Sequence, residues 1–250
     1  MVTGWCGLTD TGLVRDHNED AYYIDPAGRY FIVADGMGGH AGGEMASQLA
    51  VLETRHTLDH LWDAEPDPIE RLHQAIYRAN GRILETQRRY PAMADMGTTL
   101  VVLLFDTQHR AWFAHVGDSR LYRWQAQHLQ QLTTDHTWVA QAVSRGLLEA
   151  DQVRWHPWRH LLTQCLGRPD LEAIKVQALD AAPGDWFLLC SDGLTEELTD
   201  EDIAHLLTTA LTPEEASQSL VDAARSQGGR DNITVLVVAP TWSTPEDCSL

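Results

Sequence analysis

Residues 110–132 read RAWFAHVGDSRLYRWQAQHLQQL, and the fold class turns on this stretch. Short apolar or alternating runs bounded by Gly and Asp mark strands, and here they follow one another with no helical stretch between, as hairpins do. Outward from it, further runs of the same kind occupy Tyr30 to Ala34, Leu100 to Phe105, Ala111 to Val116, Trp186 to Cys190 and Ile233 to Val238. Strands therefore cluster instead of alternating strictly with helices, which favours an α+β sandwich over a parallel doubly wound sheet. Helical spacing appears from about Gly43 to Leu61, and from about Pro68 to Arg89 with Ile69, Leu72, Ile76, Ala79 and Ile83 on one face. A third helix opens at Thr212-Pro213-Glu214-Glu215, with Thr212 as N-cap and Glu215 at the capping-box position, and stops at Gly228-Gly229.

The chain has 250 residues, of which 44% are hydrophobic, enough for a sizeable core. No repeat or internal linker divides it. One domain is expected over 1–239, followed by a Ser/Thr/Pro-rich, frayed tail over 240–250. Asp and Glu number 36 against 18 Lys and Arg, a net charge of −18. That acidity argues against nucleic acid or an anionic membrane as partner and leaves cations, metal ions above all. Cys6, Cys165, Cys190 and Cys248 are scattered with no C-x-x-C pair, which points to a reducing compartment. The N-terminus lacks a signal-peptide layout, and no apolar run approaches the roughly 20 residues of a membrane span. A cytoplasmic monomer is expected.

Asp falls repeatedly where strands end. Asp35 closes Tyr30-Phe31-Ile32-Val33-Ala34 and precedes Gly36; Asp192 closes Phe187-Leu188-Leu189-Cys190-Ser191 and precedes Gly193. Asp118 closes Phe113-Ala114-His115-Val116-Gly117, and Asp231 immediately precedes the last strand. Any single Asp-Gly is ordinarily a turn. Several such carboxylates at one sheet rim make a cluster of hard oxygen ligands suited to Mg²⁺ or Mn²⁺. Arg15, beside Glu19 and Asp20, is the leading candidate for binding phosphate, since a guanidinium matches two phosphate oxygens; a surface ion pair with a nearby carboxylate is the competing reading. The stretch 135–159, with Trp138, Trp155 and Trp158 among His136 and His156, is too long for a turn. It reads either as a helical excursion packed on the core or as a mobile flap beside a site.

Motifs now stand in an order that resembles the bacterial metal-dependent protein phosphatases of the PPM, or type 2C, family. They are Arg15-x-x-Asn18-Glu19-Asp20; Asp35-Gly36-Met37-Gly38-Gly39-His40 with Gly42-Gly43-Glu44; Gly97-Thr98-Thr99; His115-Val116-Gly117-Asp118-Ser119-Arg120; Asp135-His136; Leu162 to Gly167; Ser191-Asp192-Gly193-Leu194; and Gly229 to Thr234. Singly each is weak; in sequence from Gly7 to Val238 they are specific. The resemblance implies a four-layer α-β-β-α sandwich of two mainly antiparallel sheets flanked by helices, with metals at one end and a flap at 135–159. It implies that Asp35 bridges two Mn²⁺ or Mg²⁺ ions with the Gly36 carbonyl on one of them, that Asp192 and Asp231 complete the cage, and that Glu19 and Asp20 hold metal-bound waters. Asp118 with Asp192 holds a third, weaker ion in bacterial members, and Arg15 binds the phosphate.

The implied activity is hydrolysis of phosphoserine and phosphothreonine in proteins by a metal-bridging hydroxide that attacks phosphorus directly, without a phospho-enzyme. A metallo-phosphoesterase for a small phosphorylated metabolite is the alternative. Eukaryotic members often carry His two residues after the bridging Asp, where this chain has Met37. His40 is the nearby candidate for proton donor or substrate contact, with a metal-bound water as the other donor. A binding module that had lost catalysis would lack one of the metal carboxylates, yet Asp35, Asp192 and Asp231 are all present.

Overall fold

The computed structural model describes residues 4–39 and 41–240. Strands β1 (Gly4–Asp10), β2 (Asp20–Ile24) and β3 (Tyr30–Met37) come first, then helices α1 (Ala41–Leu61) and α2 (Pro68–Arg89). Five strands follow: β4 (Gly97–Thr98), β5 (Leu100–Phe105), β6 (Arg110–Val116), β7 (Arg120–Gln125) and β8 (His128–Gln131). The rest is α3 (Trp138–Ser144), β9 (Gln177–Asp180), β10 (Trp186–Cys190), α4 (Asp192–Thr195), α5 (Asp200–Thr209), α6 (Pro213–Gln227) and β11 (Ile233–Ala239). The expected tail, His40 and Cys248 lie outside the described residues, apart from Pro240.

Two sheets form, ordered β1-β11-β10-β7-β8 and β2-β3-β5-β6-β9, with β4 on β3. Their pairings are antiparallel. The 110–132 stretch is therefore not one series of hairpins. β6 pairs β5 and β9 while β7 pairs β8 and β10, so Gly117-Asp118-Ser119 crosses from one sheet to the other.

Each strand face has its own partner. Phe31, Val33, Val101, Leu103 and Phe113 meet Phe187, Leu189, Leu236 and Val238 between the sheets. The alternate residues Tyr30, Ile32, Val102 and Leu104 pack under Leu58, Leu72, Ile76 and Ile83 of α1 and α2. Leu188, Cys190, Val235 and Val237 pack under Ile203, Leu207, Leu220 and Val221 of α5 and α6. Both faces of the central strands are thus covered, which is why they read as continuous apolar runs, and the layers are α-β-β-α as expected.

Local signals explain the helices. Asp67 caps α2 by accepting from Ile69 N–H, with Pro68 next in line; Ile69 itself stays 38% exposed in the first turn. At α6 Thr212 accepts from Glu215 N–H as expected, but the Glu215 carboxylate takes the Leu211 N–H at 2.9 Å, so the box is not closed reciprocally. A reciprocal box forms at α5, between Thr199 and Asp202. The excursion after Asp135 holds α3 and a 3₁₀ turn at Ala150–Trp155, and closes at the Thr137–Leu162 bridge, beyond Arg159.

Candidate metal centre

Sheet register gathers the acidic residues at one end of the sandwich. Asp20 lies opposite Asp35 across β2 and β3, and Asp10 lies opposite Ile233 across β1 and β11. Asp231 therefore sits at the same rim, just before β11. Cys190 lies opposite Val235, so Asp192, on the first turn of α4 with Ser191 as N-cap, projects there as well. Asp118 arrives on the sheet crossover.

Side chains that the sequence reading left without a role hold this rim in place. Asn232 Oδ1 accepts from Glu19 N–H at 2.8 Å, and its side-chain Nδ2 donates to the Thr11 and His17 carbonyls. One residue thereby fastens the whole 11–19 loop to β11. Ser191 and Thr234 hydroxyls both donate to Asp20 Oδ2, at 2.7 and 2.6 Å. Asp35 N–H donates to Thr99 Oγ1, and Thr98 Oγ1 donates to the Asp35 carbonyl. Behind Asp35 two backbones touch: a Cβ on Gly36 would stand 2.1 Å from the Gly43 carbonyl oxygen, and one on Gly43 would stand 1.9 Å from Glu19 Oε2. Glycine at both positions lets the first turn of α1 close on Glu19.

The electrostatics are those of a cation site. Burial, reinforced by Asp20, Asp192, Asp118 and Asp231, pushes Asp35 well above the usual carboxylate range. Burial likewise pushes Asp20 up to about 7, against hydrogen bonds from Thr234 and Ser191 and with help from Asp192 and Asp231. Asp118 is raised by burial and by Asp192 and Asp135. Asp20 Oδ1 is buried with no hydrogen-bond partner, an arrangement that is costly unless a cation or its bound water is received. Asp20, Asp35, Asp118, Asp192 and Asp231 offer only oxygens, which fits Mg²⁺ or Mn²⁺.

Arg15 stands at the rim, its side chain 54% exposed, with Nη2 on Asp231 Oδ2 at 2.6 Å. The competing reading of an ion pair thus describes its contact, although the partner is itself a predicted metal residue. Two residues not predicted for the site also reach it. His160 Nδ1 lies 2.6 Å from Glu196 and 3.9 Å from Asp192. Contact with Asp192 and Glu196 holds the imidazole above its ordinary range. Glu196 follows Asp192 by one helical turn, a spacing visible in sequence; nothing local in sequence brings His160 to them. A cavity of about 610 Å³ opens here, lined by Asp118, Asp135, Arg154, Trp155, His160 and Asp192 among others. His40 lies outside the described residues.

Comparison with known proteins agrees with the fold. A sequence model described as Protein phosphatase 2C matches residues 14–225. The serine/threonine protein phosphatase PstP of Mycobacterium tuberculosis is 38% identical over 239 residues, covering 95% of this chain. The chain spans only 45% of the length of that relative. Protein phosphatase PhpP of Streptococcus pneumoniae is 35% identical over 242 residues, with 93% of this chain and 95% of PhpP covered. The crystal structure of the M. tuberculosis phosphatase PstP/Ppp superposes with a TM-score of 0.88 at 36% identity, over 97% of this chain and 100% of that one. The catalytic domain of PstP in complex with 2 manganese ions gives 0.83 at 36% identity, over 94% and 96% of the two chains. With the fold and these matches in agreement, the chain belongs to the protein phosphatase 2C family.

Proposed function

We propose that the chain is a Mn²⁺- or Mg²⁺-dependent protein phosphatase that hydrolyses phosphoserine and phosphothreonine by direct attack of water on phosphorus. The observation that carries this reading is the cluster of half-buried carboxylates around Asp35, with the buried, unpartnered Asp20 Oδ1 at its base. Asp35, the Gly36 carbonyl, Asp192 and Asp231 would hold two ions, Glu19 and Asp20 would order their coordinated waters, and Asp118 with Asp192 would hold a third, weaker one. Bound divalent ions acidify coordinated water toward neutrality and offset charge on the phosphoryl oxygens. Ser191 and Thr234 fix the Asp20 carboxylate and Asn232 holds the Glu19 backbone, which would keep both residues in place for that water. Arg15, exposed at the rim, would be free to turn from Asp231 to the phosphate with that carboxylate on an ion. The stretch 135–159 serves as a flap, in keeping with Trp155 and Arg159 lining the cavity beside Asp192.

Phosphoproteins are favoured over small metabolites because the names of PstP and PhpP are those of protein phosphatases. Cytoplasmic residence is in keeping with the free thiols of Cys6, Cys165 and Cys190; no helix among the described residues is long and apolar enough to cross a membrane. Purified chain is expected to release phosphate from a phosphothreonine peptide in Mn²⁺ or Mg²⁺ and to release none in EDTA. Undiminished turnover in EDTA would remove the metal reading. A higher kcat/KM on phosphorylated metabolites than on phosphopeptides would remove the protein-substrate reading.

A further inference from the structure

Asp118 sits between two anchored neighbours. On one side Ser119 Oγ lies 2.6 Å from Thr99 Oγ1, the same hydroxyl that accepts from Asp35 N–H, so this flank is tied to the central carboxylate. On the other side stands Gly117, at φ +100, with Thr99 so close that a Cβ would fall 2.6 Å from Thr99 Cγ2. Gly117 is held twice by one residue. Its N–H donates to His136 Nδ1 at 3.1 Å, and its carbonyl accepts from His136 N–H at 3.0 Å. The His136 carbonyl accepts from Thr163 N–H at 2.7 Å, so the same residue grips the returning leg of the flap.

The ring is fixed as an acceptor. His136 stacks on His115 with centroids 4.5 Å apart and planes 17° apart. His115 Nε2 meets the Thr134 carbonyl at 2.8 Å and must donate to it. Burial and the His115 neighbour push His136 down to about 4, which leaves Nδ1 bare to receive the Gly117 N–H. Neither histidine enters the carboxylate cage.

We propose that His136 is a positioning residue for Asp118, clamping Gly117 at both its N–H and its carbonyl and thereby holding the Asp118 carboxylate beside Asp192 for the weaker, third divalent ion. This rests on the reading of Asp118 and Asp192 as a third-ion pair. The acceptor is what matters: Asn carries Oδ1 on the same Cγ that bears Nδ1 in His and can replace it, whereas Leu offers a methyl there.

Mn²⁺ titrations read by the electron paramagnetic resonance of free Mn²⁺ test it, on the parent chain, H136L, H136N and D118N, with thermal melts of each metal-free protein. The parent is expected to bind three ions and D118N two. H136L is expected to weaken the third ion about tenfold, the worth of one hydrogen bond, with the two tighter ions unmoved and H136N near the parent. H136F, which keeps an aromatic face toward His115 without the acceptor, replaces H136L if that variant loses its native melt. Parent-like third-ion affinity in H136L, with the ion lost in D118N, overturns the proposal alone. Two ions in the parent, or three in D118N, overturn the third-ion reading and the proposal with it. Loss of all three ions in H136L overturns it too, because the effect would not be local to Asp118.

Discussion

Asp20 and Asp35 face each other across one register pair, the first buried and the second half-buried, with further carboxylates around them. Without a cation they oppose folding. Asp35→Asn is therefore expected to stabilise the metal-free protein by about 1–2 kcal/mol, through relief of like-charge repulsion, and to abolish phosphatase activity. Calorimetry in EDTA checks this, and a lowered melting temperature there would contradict it. Asp25, at the far end of β2, is the opposite case. It is 2% exposed and accepts from Arg29 N–H, Nε and Nη2 at 3.0, 2.8 and 2.7 Å. Burial alone would raise its pKa, yet the hydrogen bonds from Arg29 hold it below the usual range. Its folded-state pKa is depressed, so its contribution is complete above the unfolded carboxylate pKa of about 3.9 and fades as pH falls through the folded value. Asp25→Asn should cost about 2 kcal/mol at neutral pH, the gap from the parent closing in acid; urea melts along a pH series measure it, and a constant gap would refute the pairing.

At the level of elements, the first turn of α1 is pressed onto β3 and Glu19 through Gly43, while α2 carries Gly81 with nothing within 4 Å of its would-be Cβ. The same substitution should act with opposite sign in the two helices. Gly43→Ala is expected to destabilise by about 1–3 kcal/mol, as overpacking does, and to weaken Mn²⁺ binding by displacing Glu19. Gly81→Ala should stabilise by about 0.5–1 kcal/mol through the entropy of the unfolded chain and leave metal binding alone. Denaturation curves with and without Mn²⁺ separate the two effects. Equal responses from both helices would show that the Gly43 contact is not tight.

Across the whole molecule the charge of −18 is distributed unevenly in its consequences. Several of the carboxylates converge on a single rim, so a divalent ion gains there what dispersed surface charge would not provide. Mn²⁺ at about 100-fold excess over its dissociation constant should add roughly 2.7 kcal/mol per site, or about 5–10 °C per site in a chain of this size. Monovalent salt at equal ionic strength only screens, and should raise the melting temperature far less. Equal shifts from KCl and Mn²⁺ would mean that no specific site is occupied.

Much of this was legible in the chain itself. Strands buried on both faces must be apolar at every position, so β3, β5, β6, β10 and β11 announce themselves. So do the apolar spacing of α1 and α2, the cap and glycine stop of α6, and Asp35, Asp118, Asp192 and Asp231 at strand margins. The short or half-exposed elements β1, β2, β8 and β9 lack that continuity, and α5 passed unnoticed although its Thr199–Asp202 box is a local signal. Only the tertiary structure decided that 110–132 divides between two sheets, that Asn232, Ser191 and Thr234 serve residues more than 40 positions away, and that His160 meets Glu196. The physical reason is one of range. Burial period and capping act between neighbours in sequence, whereas the pairing of β1 with β11 and β2 with β3 is settled by which faces can be covered together, and that choice assembles the site.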